Sequence, residues 1–405
     1  MPGKRVLRPG RSGPGDIKAR KRGTRVIYLD NAATTFPKPR GLLDRMVADY
    51  AAIGVSPGRG SYDMAMAAED VIHAARTKLA AFFGAPDPRH VIFTSNATDA
   101  LNLALMGSLK AGDHVVTTRL EHNAVLRPLY HLQRKGDITL SLVPFGGKGF
   151  IDPDDIARAI RPETRLVVVN HASNVLGTVQ PVAAVGAICA ERGVALLVDA
   201  SQSAGQVPVD MAALQASAVA FTGHKSLYGP TGTGGLILHP DFEVRSTRFG
   251  GTGIESRSPV HTQDFPYRLE AGTSNLMGII GLSLAVDDLL DTGLEAIRRQ
   301  EMALTRRLVD GLRCLKGVRL YGAEDLDRHL AVIAANVDGL APEDVGAILD
   351  GDFDIAVRVG LHCAPLVHQD LGTEAQGAVR FSLGRYNTAG DIGYTIDAMA
   401  QIARS

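Results

Sequence analysis

The chain has 405 residues, 45% of them hydrophobic and 21% charged, with 43 Lys and Arg against 43 Asp and Glu. That length exceeds one small core and implies two domains, or a large domain with a smaller lobe. No apolar run is long enough to span a membrane, and three widely spaced cysteines exclude a disulfide framework and fit a reducing, cytoplasmic compartment.

The first 25 residues carry nine Lys or Arg and one acid, which leaves 34 basic and 42 acidic residues in the remainder. They are rich in Gly, Pro and Arg and lack a periodic apolar face, so residues 1–25 are expected to be a disordered tail, dispensable for catalysis. The tail has no apolar centre, which argues against a secretory signal. The acidic body offers no basic surface to accompany it, so no nucleic-acid partner is expected.

After the tail, "RVIYLD" reads as a short strand ending at Asp30, and "AAEDVIHAARTKLAAFFG" as a helix closed by glycine. "HVIFTS" is a strand and "ATDALNLALMGSLKAG" the helix after it. Further strands follow in "DHVVTTRLEH", "DITLSLVPF", "TRLVVVNHASN", "VALLVDAS" and "ASAVAFTGHKS", with a helix in "PVAAVGAICAERG". Short aliphatic strands alternating with helices predict an α/β fold with a mainly parallel sheet covered on both faces. "GGLILHP" is a candidate antiparallel member. A glycine-rich irregular stretch, Arg248 to Gly272, precedes a long helical pattern, and the last hundred residues alternate strand and helix again. The expected division is a large domain over 26–285 and a small C-terminal domain over 286–405.

Chemistry concentrates at strand ends, where ligands of open α/β sheets bind. In "AVAFTGHKSLYGPTGTGGLIL" the strand opens into Thr222, Gly223, His224 and Lys225. A lysine there can be desolvated into a Schiff-base nucleophile, with Thr222 and His224 as donors to an anionic group; a solvated loop lysine is the plainer alternative. "ALLVDASQSAGQ" ends its strand at Asp199, with Gln202 three positions on. An acid so placed can keep a heterocyclic nitrogen protonated, as a pyridoxal phosphate site requires, or merely cap a helix. In "FTSNATDALNLAL" the backbone N–H groups of Ala97 and Thr98, with the Thr98 hydroxyl, suit a phosphate. His122, in "LEHNAVLRP", follows its strand closely enough to stack on a flat ring and move protons. Together the four segments supply an imine lysine, a ring-nitrogen acid, a phosphate cradle and a stacking ring.

With "YLDNAATT", "NATDALNL", "EHNA", "SNVLGT", "VDASQS", "FTGHKSLYGPTGTG", "EAGTSN", "RVGLHCAP" and "RFSLGRYNT" in colinear order from Tyr28 to Thr388, the chain resembles the cysteine desulfurases of the class V aminotransferase family. These are pyridoxal-phosphate enzymes of fold type I, with a large domain built on a seven-stranded sheet and a smaller C-terminal α/β domain. The resemblance implies that Lys225 binds pyridoxal 5'-phosphate covalently, Asp199 pairs with the ring nitrogen, His122 stacks on the ring and Gln202 reaches its hydroxyl. Ala97, Thr98, Thr222 and His224 would hold the phosphate, and Thr273 would reach the phosphate of the other subunit, which implies a homodimer. Asn174 would lie near the substrate. Arg380 would grip the substrate carboxylate, a task suited to its planar fork, with Arg358 beside it.

Cys363 resembles the persulfide-forming cysteine, carried here on a short loop. That loop, and a region after Phe249 that could form an extra hairpin, resemble the SUF-type group. The sequence departs from relatives at "SPGRGSY" around Arg59, which has no histidine, and at "GLHCAP", which lacks a doubled histidine. The implied reaction takes L-cysteine to L-alanine and leaves sulfur on Cys363 for an acceptor protein, with His122 as the main proton shuttle and His362 as a weaker one. Alternatives on the same scaffold are a selenocysteine lyase or another lyase or epimerase, which would not need Cys363 in that role. Metal binding through His362 and Cys363 with other histidines is disfavoured, because Cys189 and Cys314 sit in helical patterns without paired ligands.

Overall fold

Strands built only of aliphatic and small residues have no face to offer water, so helices must cover both sides. The structure, a computed structural model, describes residues 25–57, 62–255 and 257–404. Residues 1–24 of the basic tail and Arg59 lie outside the described residues.

A two-residue strand β1 (Ile27–Tyr28) leads into helices α1 (Leu42–Ile53) and α2 (Asp63–Phe83). The central sheet then forms from β2 (Val91–Thr94), β3 (Asp113–Thr118), β4 (Ile138–Val143), β5 (Thr164–Asn170), β6 (Ala195–Asp199), β7 (Ala218–Thr222) and β8 (Gly234–Leu238). Its strand order is β2-β8-β7-β6-β5-β3-β4. The pairs from β7 through β4 are parallel, and β8 alone runs against its neighbours β7 and β2. "GGLILHP" is therefore the antiparallel member that the sequence suggested. The helices α3 (Ala97–Ser108), α4 (Asn123–Arg134), α5 (Pro153–Ala159) and α6 (Val182–Arg192) fall between these strands.

Alternation along the strands sorts side chains into two cores. Val167 and Val169 of β5 and Val198 of β6 pack with Leu79, Phe83, Val185 and Val286 on one face. Leu166, Val168 and Leu197 pack with Leu101, Leu105, Val125 and Leu129 on the other. This two-sided burial is why the strands read as unbroken apolar runs rather than as alternating ones.

Helices α7 (Leu276–Thr292) and α8 (Leu294–Arg313) break at Gly293, whose φ is 83°. A four-stranded antiparallel sheet follows, in the order β12-β13-β10-β9, from β9 (Val318–Tyr321), β10 (Val332–Val337), β12 (Arg358–Gly360) and β13 (Ala378–Ser382). Helices α9 (Pro342–Phe353), α10 (Pro365–Leu371) and α11 (Ala389–Ile402) complete this part. The short β11 (Ile355–Ala356) pairs in parallel with β1, so the start of the described chain is laid onto its C-terminal part.

Between β8 and α7 no strand forms among the described residues. The hairpin expected after Phe249 is thus not a β-ladder. Its arms meet through the Gly272 N–H donating to the Gly251 carbonyl at 2.8 Å, and its glycines and serines lack the β-branched pairs that stabilise a ribbon. One buried ion pair anchors the far arm. Arg76 meets Glu270 at 2.7 and 2.9 Å, and the same carboxylate accepts the Phe93 N–H at 2.6 Å. Replacing Glu270 by alanine leaves the Arg76 charge buried and unpaired. Denaturant unfolding should show a loss of about 3 kcal/mol, whereas a loss below about 1 kcal/mol would mean that water reaches the guanidinium.

Candidate active site

The parallel strands all end on one edge of the sheet, and five of the segments leaving that edge converge. β7 ends at Thr222 and turns through Gly223 and His224 to Lys225, whose side chain is partly buried. β6 ends at Asp199, 5% exposed. His122 stands at the start of α4, Asn174 lies in the loop after β5, and Ala97 opens α3. Lys225, Asp199, His122, Gln202, Asn174, Thr222, His224, Ala97 and Thr98 line a single cavity.

Burial drives the charge states. It lowers the Lys225 ammonium to about 8, opposed by the Asp199 carboxylate, while Arg380, Cys363 and Arg358 also act on it. Those groups therefore stand within electrostatic reach of the amine. Burial also lowers His122 to about 4, helped by Lys225. The His122 Nδ1 accepts the Ala124 N–H at 3.0 Å, so Nδ1 is bare and the ring proton sits on Nε2. Asp199 uses only Oδ1 locally, accepting from the Ser201 N–H at 2.9 Å and from its hydroxyl.

At the phosphate end, Asn96 caps α3 by accepting the Asp99 N–H at 2.9 Å, which leaves the first-turn donors of Ala97 and Thr98 to a ligand. Gly234 lets β8 pass close beneath: a Cβ there would lie 2.7 Å from the Asn96 backbone. Gln202 donates one amide hydrogen to the Ala32 carbonyl at 3.1 Å. The Nδ1 of His224 and the Oδ1 of Asn174 are buried without partners, and burial lowers His224 to about 4. A bare carboxylate oxygen, an imidazole donor, a free amide oxygen, helix-start N–H groups and an amine form a donor set that fits pyridoxal phosphate.

Arg380 is 2% exposed on β13, and its Nη1 donates to the Asn174 carbonyl at 3.0 Å. Arg358 lies directly opposite on β12 and is half exposed. The turn after β12 holds His362 and Cys363 at φ 49° and 58°, two successive residues in the left-handed region that favours glycine. Two bonds fasten this turn: the Asn123 N–H to the Cys363 carbonyl at 2.7 Å and the Asn174 Nδ2 to the His362 carbonyl at 2.6 Å. Cys363 is exposed and free. His362 is buried, its Nε2 meets the Ala378 carbonyl at 3.1 Å, and burial lowers it to about 2. That geometry holds His362 as a neutral prop of the turn.

Thr273 is not brought to this cavity. It is exposed and borders a separate depression with Ser95, Asp99 and Arg248. Sequence reasoning missed three neighbours. Lys38 donates to the His224 carbonyl at 2.8 Å, and burial lowers it to about 8. Glu121, wholly buried beneath β5, accepts from Thr118 at 2.7 Å and from the Asn170 N–H at 3.0 Å, and burial raises it to about 8. Asp30 contacts Arg380. Only Asp30 carried a signal, as the end of the "YLD" strand.

The span that builds this fold and strand-end site, residues 27–394, matches the class-V aminotransferase family model. The chain belongs to that family. It is 35% identical over 383 residues to a "Probable cysteine desulfurase" of Methanothermobacter thermautotrophicus, covering 93% of this chain and 94% of that protein. A protein of the same description from Halobacterium salinarum is 36% identical over 385 residues, covering 93% and 91%. Among solved structures, the apo cysteine desulfurase of Thermococcus onnurineus NA1 superposes with a TM-score of 0.89 at 36% identity, covering 94% of this chain and 95% of that one. The cysteine desulfurase CsdA of Escherichia coli gives 0.85 at 28%, covering 94% and 95%.

Proposed function

We propose that the protein is a pyridoxal-phosphate-dependent cysteine desulfurase that converts L-cysteine to L-alanine and leaves a persulfide on Cys363. The observation that carries this reading is the one strand-end cavity that Lys225, Asp199, His122 and Asn174 line together, with Asn174 Nδ2 bonded to the turn that carries Cys363. Lys225 would hold the cofactor, Asp199 Oδ2 its ring nitrogen, His122 its face, and Ala97, Thr98, Thr222 and His224 its phosphate. When bound, pyridoxal phosphate supplies an electron sink for charge left on the substrate α-carbon.

The chain's own groups do the rest. Arg380, with Asn174, orients the substrate carboxylate. Lys225 Nζ, held at a lowered proton affinity, takes the α-proton. The Cys363 thiolate attacks the substrate sulfur: an S–S bond forms, the substrate C–S bond breaks, and the electron pair passes to the carbon, which takes a proton. His122 Nε2–H is the proton-bearing atom on the opposite ring edge from its backbone bond. The thiolate, not the thiol, is the nucleophile, so a reducing cytoplasmic setting and a sulfur-acceptor protein belong to this reading. It also divides the chain into a large domain over 26–285 and a small one over 286–405. Purified protein should be yellow and should form L-alanine from L-cysteine, with matching sulfide released under reductant. A yellow protein that forms neither would overturn the assignment.

The position of Thr273, away from its own chain's cavity, supports a homodimer in which it completes the neighbour's phosphate site. Sedimentation should show a dimer, and Thr273→Ala should weaken cofactor binding about tenfold, or roughly 1.4 kcal/mol. A monomer that binds cofactor at full occupancy would rule this arrangement out.

A further inference from the structure

The register of the C-terminal sheet sets a problem in electrostatics. Arg358 and Arg380 are direct cross-strand partners in an antiparallel pair, so their side chains leave the same face. Like charges placed directly opposite are destabilising, and Arg380 is 2% exposed, with little water to screen it. The counter-charge comes from a segment some 350 residues away. Asp30 meets the β13 end through a bridge to Ser382, and the Ser382 N–H donates to the Leu29 carbonyl at 2.7 Å. Asp30 Oδ1 accepts from Arg380 Nη2 at 2.9 Å, and its Oδ2 lies 3.6 Å from Arg358 Nη1. Among the described residues, Asp30 is the one acid in an ion pair with either arginine.

The consequence lies in what is left unspent. Arg380 gives one N–H to Asp30 and one to the Asn174 carbonyl, and its Nε is buried without a partner. The guanidinium plane is thus fixed from two sides while part of its fork stays open, as a planar carboxylate requires. The same segment reaches the lysine turn. The Thr35 N–H donates to the His224 carbonyl at 3.1 Å, and the Thr35 hydroxyl to the Lys225 carbonyl at 3.0 Å. One stretch, Asp30 to Thr35, therefore ties the carboxylate-binding arginine to the lysine turn.

Building on the proposed function, we infer that Asp30 is a positioning residue for the substrate carboxylate: it aims Arg380 and gathers Arg358, leaving a single net positive charge to receive one carboxylate.

The test compares wild type, Asp30→Asn and Asp30→Glu as holoenzymes. Two readouts are taken: steady-state alanine formation from L-cysteine, and calorimetric binding of 3-mercaptopropionate, which carries the carboxylate and thiol but no amine. Asp30→Asn should raise KM and the 3-mercaptopropionate Kd at least tenfold with kcat within about threefold. Asp30→Glu, which restores the charge, should recover part of both; it also keeps the test open if the asparagine variant folds poorly. KM and Kd within twofold of wild type in Asp30→Asn would overturn the inference, as would an equal loss of kcat in both variants. A wild type that binds 3-mercaptopropionate in an Asp30-dependent way yet makes no alanine would keep the inference and overturn the functional reading.

Discussion

Lys225→Ala should be colourless as isolated and should leave no borohydride-reducible adduct with the cofactor. Nothing else in the cavity can replace it. Lys38 is held by the His224 carbonyl and the Thr35 hydroxyl at 2.8 and 2.9 Å. It stands behind the lysine turn and does not line the cavity. Alanine formation should fall roughly 10³-fold or more, since the variant loses a positioned base as well as the cofactor's anchor. The fold should survive, because removing an amine whose burial already disfavours its charge takes little from stability. A variant that keeps the reducible adduct would move the covalent link to another lysine.

Cys363→Ala should separate binding from chemistry. Cys363 does not line the cofactor cavity, and both fasteners of its turn run through main-chain carbonyls, which alanine preserves. The yellow colour and cofactor affinity should stay at wild-type levels. Turnover of L-cysteine should drop at least about 10²-fold, or roughly 2.7 kcal/mol of barrier, for want of a thiolate to take the sulfur. Activity on L-selenocysteine should fall less, because selenium leaves more readily. Matched assays of alanine and sulfide measure this, and wild-type turnover of L-cysteine by the variant would favour the lyase or epimerase reading.

The parts of the molecule legible in the sequence are those whose signal is local. Strands such as "RLVVVN" announce themselves because both faces are buried, and residues that follow such strands fall at one sheet edge by topology alone. Lys225, Asp199, His122 and Ala97 could be named for that reason. The missed features are pairings across the chain. Asp30 with Arg380, Arg76 with Glu270 and Asn174 with His362 join segments that no periodicity connects. β11 is two residues long and carries no pattern, and nothing local in the sequence pairs it with β1. The burial of His362 is likewise tertiary, since the packing that closes over it leaves no local trace in the sequence. The hairpin after Phe249 was misjudged because a glycine-rich stretch can close its ends without forming a ladder.

The turn that carries Cys363 places folding and activity in opposition. Left-handed backbone at a residue with a Cβ costs about 1–2 kcal/mol, and here two such residues stand in succession. Glycine would relieve that strain at either position, yet at 363 it would remove the thiol. Selection for a stable chain alone would therefore drive the turn toward glycine, and only continued demand for sulfur chemistry opposes it. A gene copy freed from that demand would lose its cysteine early and keep its fold, so descendants of this protein would be expected to include stable, cofactor-binding chains that no longer transfer sulfur.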